Sequence, residues 1–307
     1  MPKLNVTWEG ITDTTGYLFS FAKALSCAVK NSPWAEYAED IIATSGFAFR
    51  MWVTDDLCPS ATSVWSFDSQ KQWVENGGLT CEYVGRYWEQ DDIEEEKRLE
   101  AISIIKKSIN DGIPVISWDI GVPEWGLIIG YDDAKQMFSV LAVNGEGEMP
   151  YGVLGKRELP LLSVLTITGV SGKTQAETLN DTKRLVAEHL QGGEWCDNAN
   201  GLGAYPALIK HFTGDFNPDI SWNMEYFLGT YGGLKYYAWK YFEKSKQEQL
   251  AEMYKTVYDN WLKAFQIKSG EDVSDPVVRG KIASLLESAH ALEIKVVDVV
   301  ANNEQLK

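Results

Sequence analysis

The spacing of apolar residues in the first half of the chain changes several times between helical and strand patterns. Leu18, Phe21, Leu25 and Val29 recur at the spacing of one helix face. The stretch "DDIEEEKRLEAISIIKKSIND" has acidic residues first and lysines last, which suits a helix dipole. Apolar and β-branched runs predict buried strands at 113–118, 125–131, 137–143 and 161–170. These patterns predict helices combined with an antiparallel sheet.

The pattern becomes almost purely helical after residue 170. Helical spacing is found in five successive stretches, at residues 176–193, 201–212, 221–245, 246–265 and 274–303. Ser274, Asp275 and Pro276 form a helix start signal for the last of these. We therefore predict an α+β domain at residues 1–170, followed by an all-α helical domain at residues 171–307.

Three shorter elements are also predicted in the first half. Residues 33–46 begin with proline and end with glycine, which is typical of a helix. Residues 47–54 ("FAFRMWVT") are rich in aromatic and β-branched residues and predict a strand. Residues 144–150 ("NGEGEMP") predict a solvated turn.

The charge balance limits the classes of partner. Across 307 residues, 28 basic and 44 acidic side chains give a formal charge of 28 − 44 = −16. Such a chain repels polyanions, so nucleic acid and anionic membrane are not expected as partners.

The first residues lack a signal-peptide pattern, and no apolar run reaches 18 residues. We expect a cytoplasmic protein with reduced thiols, and the sequence leaves open whether it forms a homo-oligomer.

Cysteine and histidine spacing predicts neither a metal site nor a cofactor. The four cysteines are Cys27, Cys58, Cys81 and Cys196, and no two form a C-x-x-C pair. The three histidines, at positions 189, 211 and 290, all lie in the helical half and lack zinc-ligand spacing. No phosphate-binding or dinucleotide-binding glycine motif is complete.

Three successive stretches in the first half carry a family resemblance. "PVISW", "EWGLIIGYDD" and "MFSVLAVNG" follow one another after an N-terminal helix. This order resembles the papain-like fold of the bacteriocin-processing type of cysteine peptidase. Within that fold it is most similar to the butirosin-biosynthesis protein H N-terminal-like group. The resemblance implies a papain-like (cysteine proteinase-like) domain with an antiparallel sheet, and a helical region after it.

The catalytic positions that the resemblance implies lack the catalytic side chains. The nucleophilic cysteine at the start of the first helix would correspond to Gly16 or Tyr17. The histidine position would correspond to Glu124 or Trp125, and the orienting Asp or Asn to Asn144. A glutamate beside a thiol disfavours the thiolate through charge repulsion, so standard acyl transfer is not expected.

An acidic and aromatic cleft is expected where these positions meet. Glu124 follows a proline among tryptophans, where a carboxyl can act as general acid or base or bind a cation. A plain solvated loop acid is the alternative for both Glu124 and Asp119. Arg50, within an apolar run, is expected to form a structural ion pair or to bind ligand. The predicted ligand-binding residues are Tyr17, Arg50, Trp52, Trp118, Asp119, Glu124, Trp125, Asn144 and Glu146.

Four functional hypotheses follow from these residues. The leading one is a non-catalytic papain-like protein that binds a small molecule or peptide, cationic in character, in this cleft. The second is an active cysteine peptidase or acyltransferase that uses Cys58 or Cys27 with an unusual base. Cys27 is expected to be buried and inert within its helix, and Asp55 and Asp56 disfavour a thiolate at Cys58. The third is carboxylate chemistry by Glu124 with Asp119 or Glu146, and the fourth is a protein-interaction module.

Overall fold

The computed structural model describes residues 2–193 and 198–304, with side chains up to residue 301. Its α-helices are, in chain order, α1 (Ser20–Lys30), α2 (Ile41–Thr44), α3 (Ser69–Asn76), α4 (Glu94–Asn110), α5 (Gln175–Gln191), α6 (Ala204–Thr213), α7 (Ser221–Lys244), α8 (Glu248–Gly270) and α9 (Pro276–Glu304). Its β-strands are β1 (Trp52–Val53), β2 (Leu79–Arg86), β3 (Val115–Ser117), β4 (Gly126–Asp132), β5 (Met137–Ala142), β6 (Gly145–Pro150), β7 (Leu162–Val170) and β8 (Ala199–Asn200). Short 3₁₀ turns connect several of them.

The chain divides into two compact units, and the first contains the main sheet. This unit comprises Met1–Ile11, Ser20–Ile41 and Ser66–Thr174. Its six strands are all antiparallel and lie in the order β2-β7-β3-β4-β5-β6. Helix α4 contributes Ala101, Ile105 and Ile109 to a core with Ile128 of β4 and Val164 of β7. Burial of this apolar stripe is the main force that holds α4 on the sheet.

Helix α1 is a central helix of the first unit. Every residue of α1 except Lys23 and Lys30 is buried. It contacts β3 and β4, the two strands that precede and follow the loop at 118–125. A helix that is apolar on nearly all sides must be surrounded by other elements. The start of α1 is therefore fixed relative to this loop.

The second unit is mostly helical and comprises Thr12–Phe19, Ile42–Trp65 and Gln175–Lys307. Helices α7, α8 and α9 pack side by side, and β1 pairs with β8 in a small antiparallel sheet. Residues 12–19 lie along α7, where Gly229 leaves room for the ring of Tyr17. A Cβ at Gly229 would lie 2.7 Å from that ring. Glycine within a helix here allows close packing.

The predicted α+β class, the antiparallel sheet and the C-terminal helical region are confirmed. The domain division at residue 170 stays a prediction, and the helical unit also includes residues 12–19 and 42–65. Across residues 2–193 and 198–304, no helix combines the length and apolar character needed to cross a bilayer.

Three local predictions differ from the structure. Residues 33–46 form a 3₁₀ turn at Ala35–Tyr37 and the short α2 rather than one helix. Of the strand predicted at 47–54 only β1 exists, because this apolar run is buried largely as coil. The turn predicted at 144–150 is the strand β6. Its glutamates at positions 146 and 148 suit an edge strand, where charge discourages pairing with other chains.

Candidate functional site

The candidate site is built on the connection between β3 and β4, which we call the 118–125 loop. Ser117 at the end of β3 pairs with Gly126 at the start of β4. Within the loop, the backbone N–H of Ile120 donates to the carbonyl of Glu124 at 3.1 Å. Gly126 must be glycine, because a Cβ there would lie 2.8 Å from the Leu141 carbonyl oxygen. The loop is therefore a closed turn that begins and ends on adjacent strands.

Arg157 fixes the far side of the loop. Its Nη1 donates to the Asp119 carbonyl at 3.2 Å, and its Nη2 donates to the Gly121 carbonyl at 3.1 Å. Gly121 has φ +77°, and a Cβ there would lie 2.9 Å from Oδ1 of Asn144. Asn144 is exposed beside the loop. Arginine is well suited to this task because its planar fork can reach two acceptors at once.

The start of α1 meets the end of the loop through two neighbouring contacts. The hydroxyl of Ser20, the first residue of α1, donates to Oε2 of Glu124 at 2.5 Å. The rings of Phe21 and Trp125 meet edge to face with centroids 4.8 Å apart. Ser20 is 8% exposed, and Glu124 is half-buried. A carboxylate at a helix N-terminus is also favoured by the helix dipole.

Asp119 carries the second carboxyl group of the loop, and it combines a buried side chain with a left-handed backbone conformation. It is 5% exposed and has φ +59°, a left-handed conformation that Asp tolerates better than most residues. Its Oδ2 is buried and has no hydrogen-bond partner among the described residues. Burial raises the pKa of Asp119 above its ordinary value, while the Arg157 guanidinium 3.7 Å away opposes that rise.

We expect Asp119→Asn to stabilise the protein at neutral pH. A carboxyl with a raised pKa in the folded state favours folding only while it is protonated. Its contribution is complete below the unfolded pKa of about 3.9 and is lost as pH rises through the folded pKa. Thermal unfolding should show a higher Tm for the variant at pH 7, and the difference should narrow towards pH 4. An equal Tm difference at pH 7 and pH 4 would contradict a raised pKa of Asp119 in the folded protein.

An aromatic cluster lies behind the loop. The ring centroids of Trp118 and Trp125 are 5.3 Å apart, and Phe67 lies 5.8 Å from Trp118 and 4.9 Å from Trp125. Two polar atoms beside it, Nε1 of Trp118 and Oε1 of Gln70, are buried without a partner among the described residues. Ser163 contacts both residues: its hydroxyl accepts from Gln70 Nε2 at 2.7 Å, and its backbone carbonyl accepts from the backbone N–H of Trp118 at 3.1 Å. Buried polar groups that lack partners are rare and point to a bound water or ligand.

The last predicted site residue of the first unit is Glu146. Glu146 is exposed on β6 and forms an ion pair with Lys3 at 2.6 Å. Such an exposed pair contributes little to stability.

Three further predicted residues belong to the second unit. The hydroxyl of Tyr17 donates to Glu225 at 3.0 Å. Arg50 is buried, donates to the Val64 carbonyl at 2.7 Å and lies 5.7 Å from the ring centroid of Trp52. The backbone N–H of Trp52 donates to the Tyr231 hydroxyl at 2.8 Å. These contacts give Tyr17, Arg50 and Trp52 structural roles within the helical unit.

The thiols lie in surroundings that do not favour a thiolate. Burial raises the pKa of Cys27 to about 11, and the Cys27 thiol donates to the Thr7 carbonyl at 2.9 Å. Burial also raises the pKa of Cys81. Cys58 is half-buried in the second unit. Cys196 lies outside the described residues.

In the described part of the chain, no group of three or more His, Cys, Asp or Glu side chains could hold a metal ion.

Sequence reasoning missed Ser20, Gln70 and Arg157. The resemblance assigned the helix start to Gly16 or Tyr17, but α1 begins at Ser20, and residues 12–19 belong to the other unit. The pattern "SFAKAL" with its apolar spacing could have placed the helix start correctly. Arg157 lies in a coil between β6 and β7, and its contacts with the loop depend on the fold. No local signal marks it.

Comparison with known proteins gives no relative whose function could be transferred. No protein-family model matches the chain, and no curated protein matches its sequence. A functional proposal therefore rests on the chemistry of the 118–125 loop.

Proposed function

We propose that the chain is a papain-like protein whose thiol–imidazole pair has been replaced, and that it binds a small molecule or peptide, cationic in character, at the 118–125 loop. The observation that carries this proposal is the contact of Ser20 with Glu124, where the start of the central helix meets the start of a strand. The resemblance assigns the cysteine position to Gly16 or Tyr17, which precede Ser20 in the chain, and the histidine position to Glu124 or Trp125. Binding of this kind requires no cysteine chemistry.

The composition of the loop favours a positively charged ligand. Glu124 is half-buried and is flanked by Trp125, whose ring neighbours Trp118. Asp119 supplies a second carboxyl in the same closed turn, which is linked by the Ile120–Glu124 hydrogen bond. Carboxylates accept hydrogen bonds from ammonium groups. The proposal also includes a cytoplasmic location.

The cysteine-dependent alternative has weaker support. An attacking thiol must be present as thiolate, which needs a neighbouring base or cation. Burial holds Cys27 and Cys81 protonated at neutral pH. The residue at the start of α1 is a serine.

Calorimetric titration with small primary ammonium compounds and short lysine peptides tests the binding function. We expect saturable binding to the wild-type chain, and Glu124→Gln should weaken it by about 10- to 100-fold, because hydrogen bonds to charged groups contribute about 1.5–3 kcal/mol. Glu148→Gln is the matched control, since it removes the same charge from an exposed position on β6. Equal loss of binding in both variants would indicate general electrostatic attraction and would reject a site at the loop.

A further inference from the structure

We infer that Arg157 is a positioning residue for cation binding, so that a positively charged side chain raises the affinity of the 118–125 loop for a positively charged ligand. This inference rests on the proposed function and names a residue that determines the affinity of that site. The expected effect is opposite to a simple charge argument, because removal of a nearby positive charge should by itself strengthen the binding of a cation.

The backbone of the loop has a conformation that needs support from outside the loop. Asp119 has φ +59° and Gly121 has φ +77°, so a left-handed residue lies on each side of Ile120. The left-handed conformation is unfavourable for a residue with a side chain, and it persists only where the surrounding structure holds it. The conformation of Asp119 therefore depends on contacts with other parts of the chain.

Arg157 supplies such contacts to both left-handed residues. Its Nη1 donates to the Asp119 carbonyl at 3.2 Å, and its Nη2 donates to the Gly121 carbonyl at 3.1 Å. Nη1 also lies 3.7 Å from Oδ1 of Asp119. One planar group thereby holds the carbonyl groups before and after Ile120, which the single nitrogen of a lysine side chain matches less well.

Ile120 connects the Arg157 contacts to Glu124. The backbone N–H of Ile120 donates to the Glu124 carbonyl at 3.1 Å, and the backbone N–H of Glu124 donates to the Val122 carbonyl at 2.6 Å. Ile120 is fully buried. Because Asp119 and Gly121 are its chain neighbours, a change in their conformation would move the Ile120 N–H and disturb the backbone of Glu124.

The Glu124 side chain is held separately, by the Ser20 hydroxyl that donates to its Oε2 at 2.5 Å. With both backbone and side chain held, a cation meets a carboxylate that is already in place, and such preorganisation raises affinity. A guanidinium group has no hydrogen-bond acceptor, so Arg157 favours a cation only through the loop. Without Arg157, the apparent affinity falls with the fraction of molecules that keep the binding conformation.

Calorimetric titration of the full chain with butylammonium tests this inference. Arg157→Met removes both hydrogen bonds and should weaken binding about 10-fold, which corresponds to about 1.4 kcal/mol. Arg157→Lys keeps the charge but not the planar fork, so it should also bind more weakly than the wild-type chain. Lys156→Met is the matched control, because it removes the same charge from the neighbouring position, where Lys156 pairs with Glu94 at 2.9 Å. The control should bind as tightly as the wild-type chain or slightly more tightly.

Amide hydrogen exchange measured by NMR distinguishes positioning of the loop from a general loss of stability. In Arg157→Met the Ile120 N–H should exchange about 10-fold faster than in the wild-type chain, because its hydrogen bond to Glu124 opens more often. The amides of β7, in the same sheet, should keep their wild-type protection. In Lys156→Met the exchange rate of the Ile120 N–H should not change.

The outcomes separate this inference from the proposed binding function. Binding of butylammonium to the wild-type chain, with equal or higher affinity in Arg157→Met, would overturn the positioning role of Arg157 and leave the proposed function standing. Equal weakening in Arg157→Met and Lys156→Met would also overturn it, as would weaker binding without faster exchange of the Ile120 N–H. Absence of binding to the wild-type chain would reject the proposed function and this inference with it.

Discussion

Replacing Glu293 by alanine is expected to destabilise the helical unit by about 3–5 kcal/mol, the usual cost of leaving one partner of a buried ion pair uncompensated. Glu293 and Lys235 are completely buried, with Nζ and Oε1 at 2.8 Å. The second carboxylate oxygen accepts from the Tyr205 hydroxyl at 2.7 Å, and that hydroxyl accepts from Trp261 Nε1 at 2.9 Å. The substitution would leave an ammonium group without its charge partner in the interior.

Urea unfolding monitored by circular dichroism measures this effect. Glu287→Ala is the matched control, because Glu287 is exposed on the same helix and should change the free energy of unfolding by no more than about 0.5 kcal/mol. The double change Lys235→Met with Glu293→Leu should recover much of the loss, since apolar replacement of both partners is often neutral. A loss below about 1 kcal/mol in Glu293→Ala would show that the pair is not buried as described.

Trp125→Ala should destabilise the sheet unit by about 3–5 kcal/mol, the range for truncating a large buried aromatic residue. Trp125 is fully buried and contacts the rings of Phe21, Phe67 and Trp118. Its loss would leave a cavity between the start of α1 and the loop. We therefore expect ligand binding at Glu124 to weaken together with stability.

Thermal and urea unfolding of Trp125→Ala and Trp88→Ala provide the comparison. Trp88 is 54% exposed, so its truncation should cost no more than about 0.5 kcal/mol. Trp125→Phe should retain part of the packing, so its loss of unfolding free energy should lie between those of Trp125→Ala and Trp88→Ala. Similar losses in Trp125→Ala and Trp88→Ala would contradict the central position of Trp125.

Periodicity predicted the regular elements of this fold better than its coil. Helix α4 and the strands β4, β5 and β7 have strong apolar patterns, so local sequence is enough to place them. The run at 47–54 has the composition of a strand, but within it only Trp52 and Val53 pair with another strand. An apolar run can be buried as coil without pairing in a sheet. Composition alone does not distinguish such a buried coil from a strand.

The residues of the 118–125 loop could be predicted from sequence only in part, because local patterns do not show which distant segments come together. Glu124 and Asp119 follow a clear strand, so their place at a strand mouth could be inferred from sequence. Tyr17, Arg50 and Trp52 lie in the other unit, because segments 12–19 and 42–65 cross to it despite their position in the chain. Contacts such as Ser20 with Glu124 join residues 104 positions apart. Only the fold brings them together.

The most direct test of a cation site at the 118–125 loop is to follow the tryptophan indole N–H resonances by NMR during titration with butylammonium. The indole signals of Trp118 and Trp125 should shift and saturate in the wild-type chain, with little change in Glu124→Gln. The signals of the exposed Trp88 and Trp222 should stay unchanged. Shifts confined to Trp88 and Trp222, or equal shifts of Trp118 and Trp125 in wild type and Glu124→Gln, would contradict the account.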